Sequence, residues 1–509
     1  MKNNLKFATI ISYITLFAGN VISIFYTPFM LSKLGNSEYG LFSLVNTIIS
    51  YIYLLDMGLG NAIIRYNSKY MAENDEEGLK KVNGMFLSLY CLISIVGLII
   101  GIVVYRSLGS IFSKGLSITE IQQVKAMFAV ALFNLVFSFP FNVFNGIIMA
   151  HEKFVFIKAI TFIRTIFNPL IMVMILLFGY RALGMLIGST IFNIILGFVN
   201  IIYCFKVLKV KMIFKGFDKS LYAEIFKFSF FILLSSLAYR IYWSTDQFVL
   251  GMFVSSTSIA IYTIGLQFNT YFNSFSNVIS SMFLPKLTKI TVVNSDKSEL
   301  MKILIKISRI QFYIASFILC GFILVGKEFI MRWTGPEYGW SYYIALLVMA
   351  PQFISIIQTL FATMLEAMNK HKVKSLIYIG VSFLNLILTL YLVRIWGSIG
   401  CAIATCVGML LNAILNNLYY KYKLNLDMGY YWKEILKMVP SILGISIIGY
   451  GVKVLLRPNN YITIGLFGIV FSIIYFGICW KFTFNKYEKD IIYKFIDKIK
   501  LRKINNGIN

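Results

Sequence analysis

Ionisable side chains inside long apolar stretches are the residues of this sequence best placed to do chemistry. Arg240 and Asp246 lie within the apolar stretch 225–252, and Arg164 lies within another at 156–178. Burying a charge among hydrocarbon groups costs several kcal/mol, so such residues usually face a water-filled cavity or a charged partner. The planar guanidinium of arginine can hold a phosphate or a carboxylate through two hydrogen bonds. We therefore predict that Arg240 binds an anion and that Asp246 is a candidate site for a coupling proton or Na⁺.

Polar side chains at spacings of three and four predict a cavity around these charges, because residues at such spacings share one helical face. Polar faces of this kind recur in the stretches 7–32, 39–58, 225–252 and 258–284. Small polar residues also pack helices together in membranes, and that alternative stays open for Ser, Thr and Gly. The charge of Arg240 favours the cavity. The candidate lining residues are Asn20, Tyr239, Tyr242, Trp243 and Asn273.

Two further charged residues, Asp56 and Arg65, flank the cytoplasmic end of the stretch 39–58. Either of them is a structural cap or part of a gate. Asp56 is a second candidate for the coupling ion, and Arg65 is a further candidate for substrate binding. Arg164 also leaves two interpretations, because its long side chain can reach the aqueous interface or face the cavity.

The composition indicates that these residues lie in a bilayer. Of the 509 residues, 59% are hydrophobic and only 13% are charged. One span needs roughly 20 apolar residues. The longest stretches outside the apolar runs are a loop at 59–83 and a tail at 484–509, which leaves no room for a soluble catalytic domain. We predict fourteen spans, at 7–32, 39–58, 84–105, 124–149, 156–178, 182–207, 225–252, 258–284, 310–331, 339–366, 375–393, 398–419, 435–456 and 461–480.

The basic residues give the predicted orientation. With both termini in the cytoplasm, most of the 47 Lys and Arg residues fall in the cytoplasmic segments, as positive loops should. Arg240 then lies near the middle of the bilayer. Because the charge is divided among many short loops, it indicates contact with anionic membrane lipids and excludes nucleic acid as a partner. The apolar and basic faces of 484–509 predict an amphipathic tail on the membrane surface.

The sequence contains neither a phosphate-binding loop of the Walker type nor a recognisable catalytic set, so we expect a transporter rather than an enzyme. His151 and His371 lie in short basic loops without a cysteine or acidic cluster beside them. We therefore expect no metal and no cofactor beyond a coupling Na⁺ or H⁺.

A weak internal repeat divides the chain into two halves. The segment 26–45 matches 246–265 in residue class, and 181–190 matches 397–406 at a similar offset. Many transporters consist of such repeats around a central site. The predicted architecture is all-α, with two six-helix lobes related by a pseudo-two-fold axis and two added helices. The predicted parts are a first lobe at 1–207, a basic cytoplasmic linker at 208–224, a second lobe at 225–420, added helices at 435–483 and the tail at 484–509.

The segments FYTPFMLSKLGNSEYGLFSLVNTIISYIYLLDMGLGNAIIRY (25–66) and DQFVLGMFVSSTSIAIYTIG (246–265) carry a resemblance to a known family. Together with the fourteen spans and the duplicated half, they resemble bacterial flippases of polysaccharide repeat units of the Wzx type. These proteins belong to the multidrug/oligosaccharidyl-lipid/polysaccharide (MOP) exporter superfamily. The resemblance extends over almost the whole chain.

This resemblance implies two lobes around a central cavity. It also implies that the chain flips an undecaprenyl-diphosphate-linked oligosaccharide across the bacterial cytoplasmic membrane, driven by an ion gradient or the membrane potential through alternating access. Arg240 would then hold the diphosphate, and the polar and aromatic candidates would contact sugars. A polysaccharide polymerase and chain-length machinery are the implied partners. Capsule, O-antigen, exopolysaccharide and other cell-wall glycans are the implied pathways.

Three alternatives remain open. A multidrug extruder of the same superfamily would need an acidic cluster in its cavity, which the stretch 7–32 lacks. A membrane-embedded polymerase would need a large outer loop, but the longest outer connection runs only from 106 to 123. The third alternative is a lipid II flippase. Such proteins tend to carry an Asp-Arg pair after the aromatic residue early in helix eight, whereas this chain has Thr263, Ile264 and Gly265 after Tyr262. This difference argues against a peptidoglycan precursor as the substrate.

Overall fold

The computed structural model describes the backbone of residues 2–216, 219–293, 297–368, 370–490 and 493. It describes the side chains of these residues except at 2–6, 219, 228, 231, 275–293, 297 and 371. Over these ranges all regular elements are helical, which confirms the predicted all-α class. The helices are α1 (Lys2–Ile52), α2 (Leu59–Ala72), α3 (Glu76–Ile111), α4 (Ile118–Ala150), α5 (Phe154–Leu177), α6 (Ala182–Ile202), α7 (Lys219–Phe253), α8 (Ser256–Val293), α9 (Lys297–Thr334), α10 (Gly339–Ile357), α11 (Thr359–Ala367), α12 (His371–Tyr422), α13 (Met428–Leu436), α14 (Val439–Leu456) and α15 (Tyr461–Ile478).

Glycines divide the two longest helices, α1 and α12. Gly35 has φ 76° and Gly397 has φ 54°, in the left-handed region that glycine adopts without a steric penalty. Each helix changes direction there. Helix α1 contains the predicted stretch 7–32 and most of 39–58, and α12 contains 375–393 and 398–419. The break in α1 separates the segment that carries Asn20 from the segment that leads to Tyr53.

Among the described residues, eleven helical segments are long and apolar enough to cross a membrane. Two of them, Phe7–Ala72 and Lys372–Tyr422, each contain two predicted stretches, whereas α8 is not among the eleven. The chain is therefore a multi-pass membrane protein. The number of fourteen crossings stays a prediction.

The prediction of a loop over 59–83 is wrong, because most of this segment is helical. Gly58, with φ 71°, turns the chain into α2, and the carboxylate of Asp75 accepts a hydrogen bond from the Gly78 amide at 2.8 Å to begin α3. Arg65 and Lys69 lower the hydropathy of α2, yet they lie on its exposed face. The opposite face is apolar enough to pack, and it buries Leu59, Ala62, Ile63 and Tyr66.

The chain divides into two compact units, Met1–Thr263 with Ser382–Ala404 and Ile264–Val381 with Thr405–Asn509. In the first unit α1 packs against α4, α5 and α7, and α4 also packs against α3 and α6. Helix α7 and the beginning of α8 belong to this first unit. The lobe boundaries expected from the sequence stay predictions.

The second unit contains an aromatic core and a buried ion pair. Phe317 stacks on Phe471 and meets Tyr475 edge to face, and the Tyr475 hydroxyl lies 2.7 Å from Ser316 Oγ. Arg309 donates to both carboxylate oxygens of Glu488, at 2.6 and 3.0 Å, and both side chains are buried. This ion pair links Glu488, near the beginning of the predicted tail, to Arg309 of α9. Most of the tail, 491–492 and 494–509, lies outside the described residues, as does the side chain of His371.

Candidate functional site

Arg240 is half-buried on α7, and no carboxylate of the described residues forms an ion pair with it. Its backbone carbonyl accepts a hydrogen bond from the Tyr51 hydroxyl at 3.2 Å, and that hydroxyl also lies 2.7 Å from Thr245 Oγ1. In the described ranges the guanidinium itself makes neither a hydrogen bond nor an ion pair. Its hydrogen-bond donors are therefore available to a ligand.

Arg164, an exposed residue of α5, contributes a second positive charge to the same region. The Tyr53 hydroxyl lies within electrostatic reach of both Arg164 and Arg240, and it accepts a hydrogen bond from Asn142 at 3.2 Å. Both positive charges act on the Tyr53 hydroxyl, so an anion bound beside that hydroxyl would be attracted by both. We define Arg164, Arg240 and Tyr53 as the cation pair site. It brings together two of the arginines that the sequence singles out.

A carboxylate lies beside this site, held by neutral groups. Asp56 accepts a hydrogen bond from the Tyr90 hydroxyl at 2.7 Å and a longer one from Asn142 at 3.5 Å. Asn142 therefore links the carboxylate of Asp56 to the hydroxyl of Tyr53. Neutral groups hold the Asp56 carboxylate, and neither arginine forms an ion pair with it in the described part of the chain, so this carboxylate can bind a cation.

Asn20 and Arg65 have different surroundings. Asn20 is half-buried on α1, beside Gly19, where an added β-carbon would lie 3.2 Å from Thr165 of α5. This places Asn20 close to the contact between α1 and the segment that carries Arg164. Arg65 lies 4.0 Å from Glu224 in a pair whose side chains are both 60% exposed. Such exposed pairs contribute little to stability.

The three aromatic candidates of α7 differ in exposure. Tyr239 is 54% exposed and Trp243 is half-buried, whereas Tyr242 is only 2% exposed. The rings of Tyr242 and Trp243 meet edge to face with centroids 5.3 Å apart. Tyr242 therefore supports Trp243 from the protein interior, and Tyr239 and Trp243 are the two that can touch a ligand.

Asp246 is buried and holds three helices together. Its carboxylate accepts hydrogen bonds from the Tyr262 hydroxyl of α8 and from Thr389 Oγ1 of α12, the latter at 2.9 Å. The next residue, Gln247, bonds with Thr47 of α1 and donates to Thr263 at 3.1 Å. The position combines oxygen ligands with burial, which suits a small cation better than a sugar.

Asn273 lies on α8 in the second compact unit. Its side-chain oxygen accepts a hydrogen bond from Gln352 at 2.5 Å, and its amide donates to the Asn269 carbonyl at 3.1 Å. The predicted contact of Asn273 with a sugar stays a prediction.

Sequence reasoning missed a polar contact at the other end of α7 and α8. Glu120 accepts hydrogen bonds from Ser37 at 2.7 Å and from Ser256 at 2.5 Å, and the two hydroxyls lie 3.0 Å apart. A β-carbon at Gly40 would lie 1.9 Å from the Ser256 carbonyl oxygen. We define Ser37, Gly40, Glu120 and Ser256 as the serine latch. The pairing of Glu120 with Ser117 in a capping box was the available signal, but it indicates only a helix start.

Two sequence relationships bear on this site. The family described as polysaccharide biosynthesis protein matches residues 7–291, a range that contains the cation pair site and the serine latch. A protein of Haloferax volcanii named "Probable low-salt glycan biosynthesis flippase Agl15" is 22% identical over 480 residues, which cover 91% of this chain and 93% of that protein.

Solved structures show the same fold at low sequence identity. A structure titled "Lipid II flippase MurJ, inward closed conformation" gives a TM-score of 0.71 at 16% identity, covering 92% of this chain and 98% of the other. An inward-facing multidrug resistance MATE family transporter of the MOP superfamily gives 0.63 at 14% identity, covering 82% and 98%. At such identities the likeness establishes a fold shared with transporters.

Proposed function

The chain belongs to the polysaccharide biosynthesis protein family, and we propose that it is a flippase that moves an undecaprenyl-diphosphate-linked oligosaccharide across the bacterial cytoplasmic membrane. The relative Agl15 is named as a probable glycan biosynthesis flippase, which supports this activity. The fold shared with transporters supports transport rather than catalysis. Both termini are proposed to lie in the cytoplasm, because that orientation places most basic residues inside.

One observation supports an anionic lipid as the substrate above the alternatives. Arg240 and Arg164 both lie within electrostatic reach of Tyr53, and no carboxylate pairs with either of them in the described part of the chain. A site that binds cationic drugs needs net negative charge, whereas the two guanidinium groups here outnumber the single carboxylate of Asp56 beside them. A diphosphate offers the oxygen pairs that such groups bind. Tyr239 and Trp243 are the proposed contacts for sugars.

Loss of the gene tests the function directly. We expect a deletion strain to accumulate the lipid-linked single unit on the inner leaflet of the cytoplasmic membrane, because the glycan is made but not moved. The leaflet can be identified by treating protease-free spheroplasts with a membrane-impermeant reagent that oxidises glycans, because only units on the outer leaflet would react. Accumulation on the outer leaflet would instead identify a polymerase, which acts after flipping. An unchanged glycan together with new sensitivity to cationic drugs would identify an extruder.

Asp246 is the proposed site for a coupling Na⁺ or H⁺. Its contacts with Tyr262 and Thr389 connect α7, α8 and α12, so occupancy by a cation would change how these helices pack. We expect Asp246→Asn to lower ion-stimulated transport about 10-fold, a loss of about 1.4 kcal/mol of stabilisation of the transition state. The measurement is transport into vesicles with an imposed Na⁺ or H⁺ gradient.

The matched control is Asp56→Asn, because Asp56 is the second candidate and accepts its hydrogen bonds from Tyr90 and Asn142 instead. If Asp246→Asn keeps full stimulation by the gradient while Asp56→Asn loses it, the assignment moves to Asp56. If both variants keep it, neither carboxylate couples the ion.

A further inference from the structure

An apolar cleft of about 360 Å³ lies between α1, α3 and α7 within the first compact unit. Nine residues line it, and all except Tyr51 have aliphatic or phenylalanine side chains. On α3 the lining extends from Ile100 to Ile111, which corresponds to about 16 Å along a helix. The cleft is therefore long and apolar, and its volume is within the range of small-molecule sites.

Tyr51 connects this cleft to the cation pair site. Its ring lines the cleft, while its hydroxyl donates to the Arg240 carbonyl at 3.2 Å and lies 2.7 Å from Thr245 Oγ1. The ring of Tyr51 thus lies in an apolar environment and its hydroxyl in a polar one. Tyr51 marks the point where a molecule with a hydrocarbon chain and an anionic head could pass from one environment to the other.

The two regions together match an amphipathic ligand in charge and polarity. The cleft would accept only an apolar chain, because eight of its nine lining side chains have no polar group and Tyr51 uses its hydroxyl elsewhere. The arginine beyond Tyr51 would accept only an anion. A polyprenyl chain attached to a diphosphate has these two parts next to each other.

We propose that this cleft binds the isoprenoid chain of the transported lipid, next to the diphosphate held at Arg240. The inference rests on the proposed flippase function and adds to it a route for the chain between α1, α3 and α7. The chain would then stay beside the head as the head crosses.

The probe for this proposal is farnesyl diphosphate with a photoreactive diazirine at the far end of its chain, added to the purified full-length protein in lipid nanodiscs. We expect mass spectrometry to find label on residues 48–55, at and just after the end of α1, and on the α3 segment 100–111. Val104→Trp should reduce that label by about 5-fold or more, because a bulky side chain fills the cleft.

The matched control is Val103→Trp, since Val103 is on the same helix but is 60% exposed and does not line the cleft. It should label as the wild type does. If the label falls on helices other than α1, α3 and α7 while transport continues, the cleft is not the binding site of the chain, but the proposed flippase function is unaffected. Loss of the label in a large excess of phosphatidylglycerol would also overturn the proposal, since an ordinary phospholipid then occupies the cleft. If the protein neither transports nor takes up the probe, the proposed function fails as well.

Discussion

Replacing Arg240 with glutamine is expected to reduce glycan export about 10- to 100-fold, because a hydrogen bond to a charged group contributes about 1.5 to 3 kcal/mol. Arg240 is half-buried and unpaired among the described residues, so its loss removes ligand contacts without breaking an internal ion pair. Arg240→Lys should keep the charge but lose the two-pronged geometry, and we expect an intermediate export rate. Surface glycan per cell, normalised to the amount of protein in the membrane, is the measurement.

The matched control for this prediction is Arg106→Gln. Arg106 is an exposed arginine of α3, so the variant removes the same charge and side-chain volume away from the cation pair site. We expect export within about 2-fold of wild type, because a change of roughly 0.4 kcal/mol is ordinary for a surface substitution. Equal losses in the two variants would show that net charge or expression matters and that the position of Arg240 does not.

A disulfide across the serine latch is expected to stop transport completely. Ser37 Oγ and Ser256 Oγ lie 3.0 Å apart, so cysteines at both positions should bond on mild oxidation. In the proposed orientation this contact closes the outer end between α1, α4 and α8. Alternating access requires that end to open, so the crosslinked Ser37→Cys/Ser256→Cys protein should be inactive and a reductant should restore transport.

The single variants Ser37→Cys and Ser256→Cys serve as controls under the same oxidant, with the six native cysteines left in place. Each should transport at near the wild-type rate, because the hydrogen bonds of one serine to Glu120 contribute only about 1 kcal/mol. Full transport by a quantitatively crosslinked double variant would show that this end of the molecule need not open.

Composition predicted the fold class. A segment that crosses a membrane must pair its own backbone polar groups, as a helix does, and must present apolar side chains to the lipid. Mean hydropathy did not predict α2. Arg65 and Lys69 on its exposed face lower the average, although Ile63 and Tyr66 on the opposite face are buried. It also did not show that α1 continues as a helix on both sides of Gly35. Hydropathy averages over faces, whereas packing uses one face at a time.

The candidate site was predictable only in part. Arg240 and Arg164 are conspicuous, since a charge in an apolar run costs too much to lack a role. Their common neighbour Tyr53, and the links from Asn142 and Tyr51, depend on residues far apart in the chain. The enclosure of Tyr242 was likewise unpredictable, because a tyrosine on a polar face looks the same in sequence whether a neighbouring helix covers it or not.

Translocation in vesicles that contain only the purified protein tests the proposed role of the cation pair most directly. The two cargoes are one disaccharide attached either to polyprenyl diphosphate or to uncharged polyprenol. We predict that the wild-type protein flips the diphosphate form only, and that Arg240→Gln lowers this rate to nearly that of protein-free vesicles. Equal flipping of both forms, or a wild-type rate in Arg240→Gln, would contradict the account.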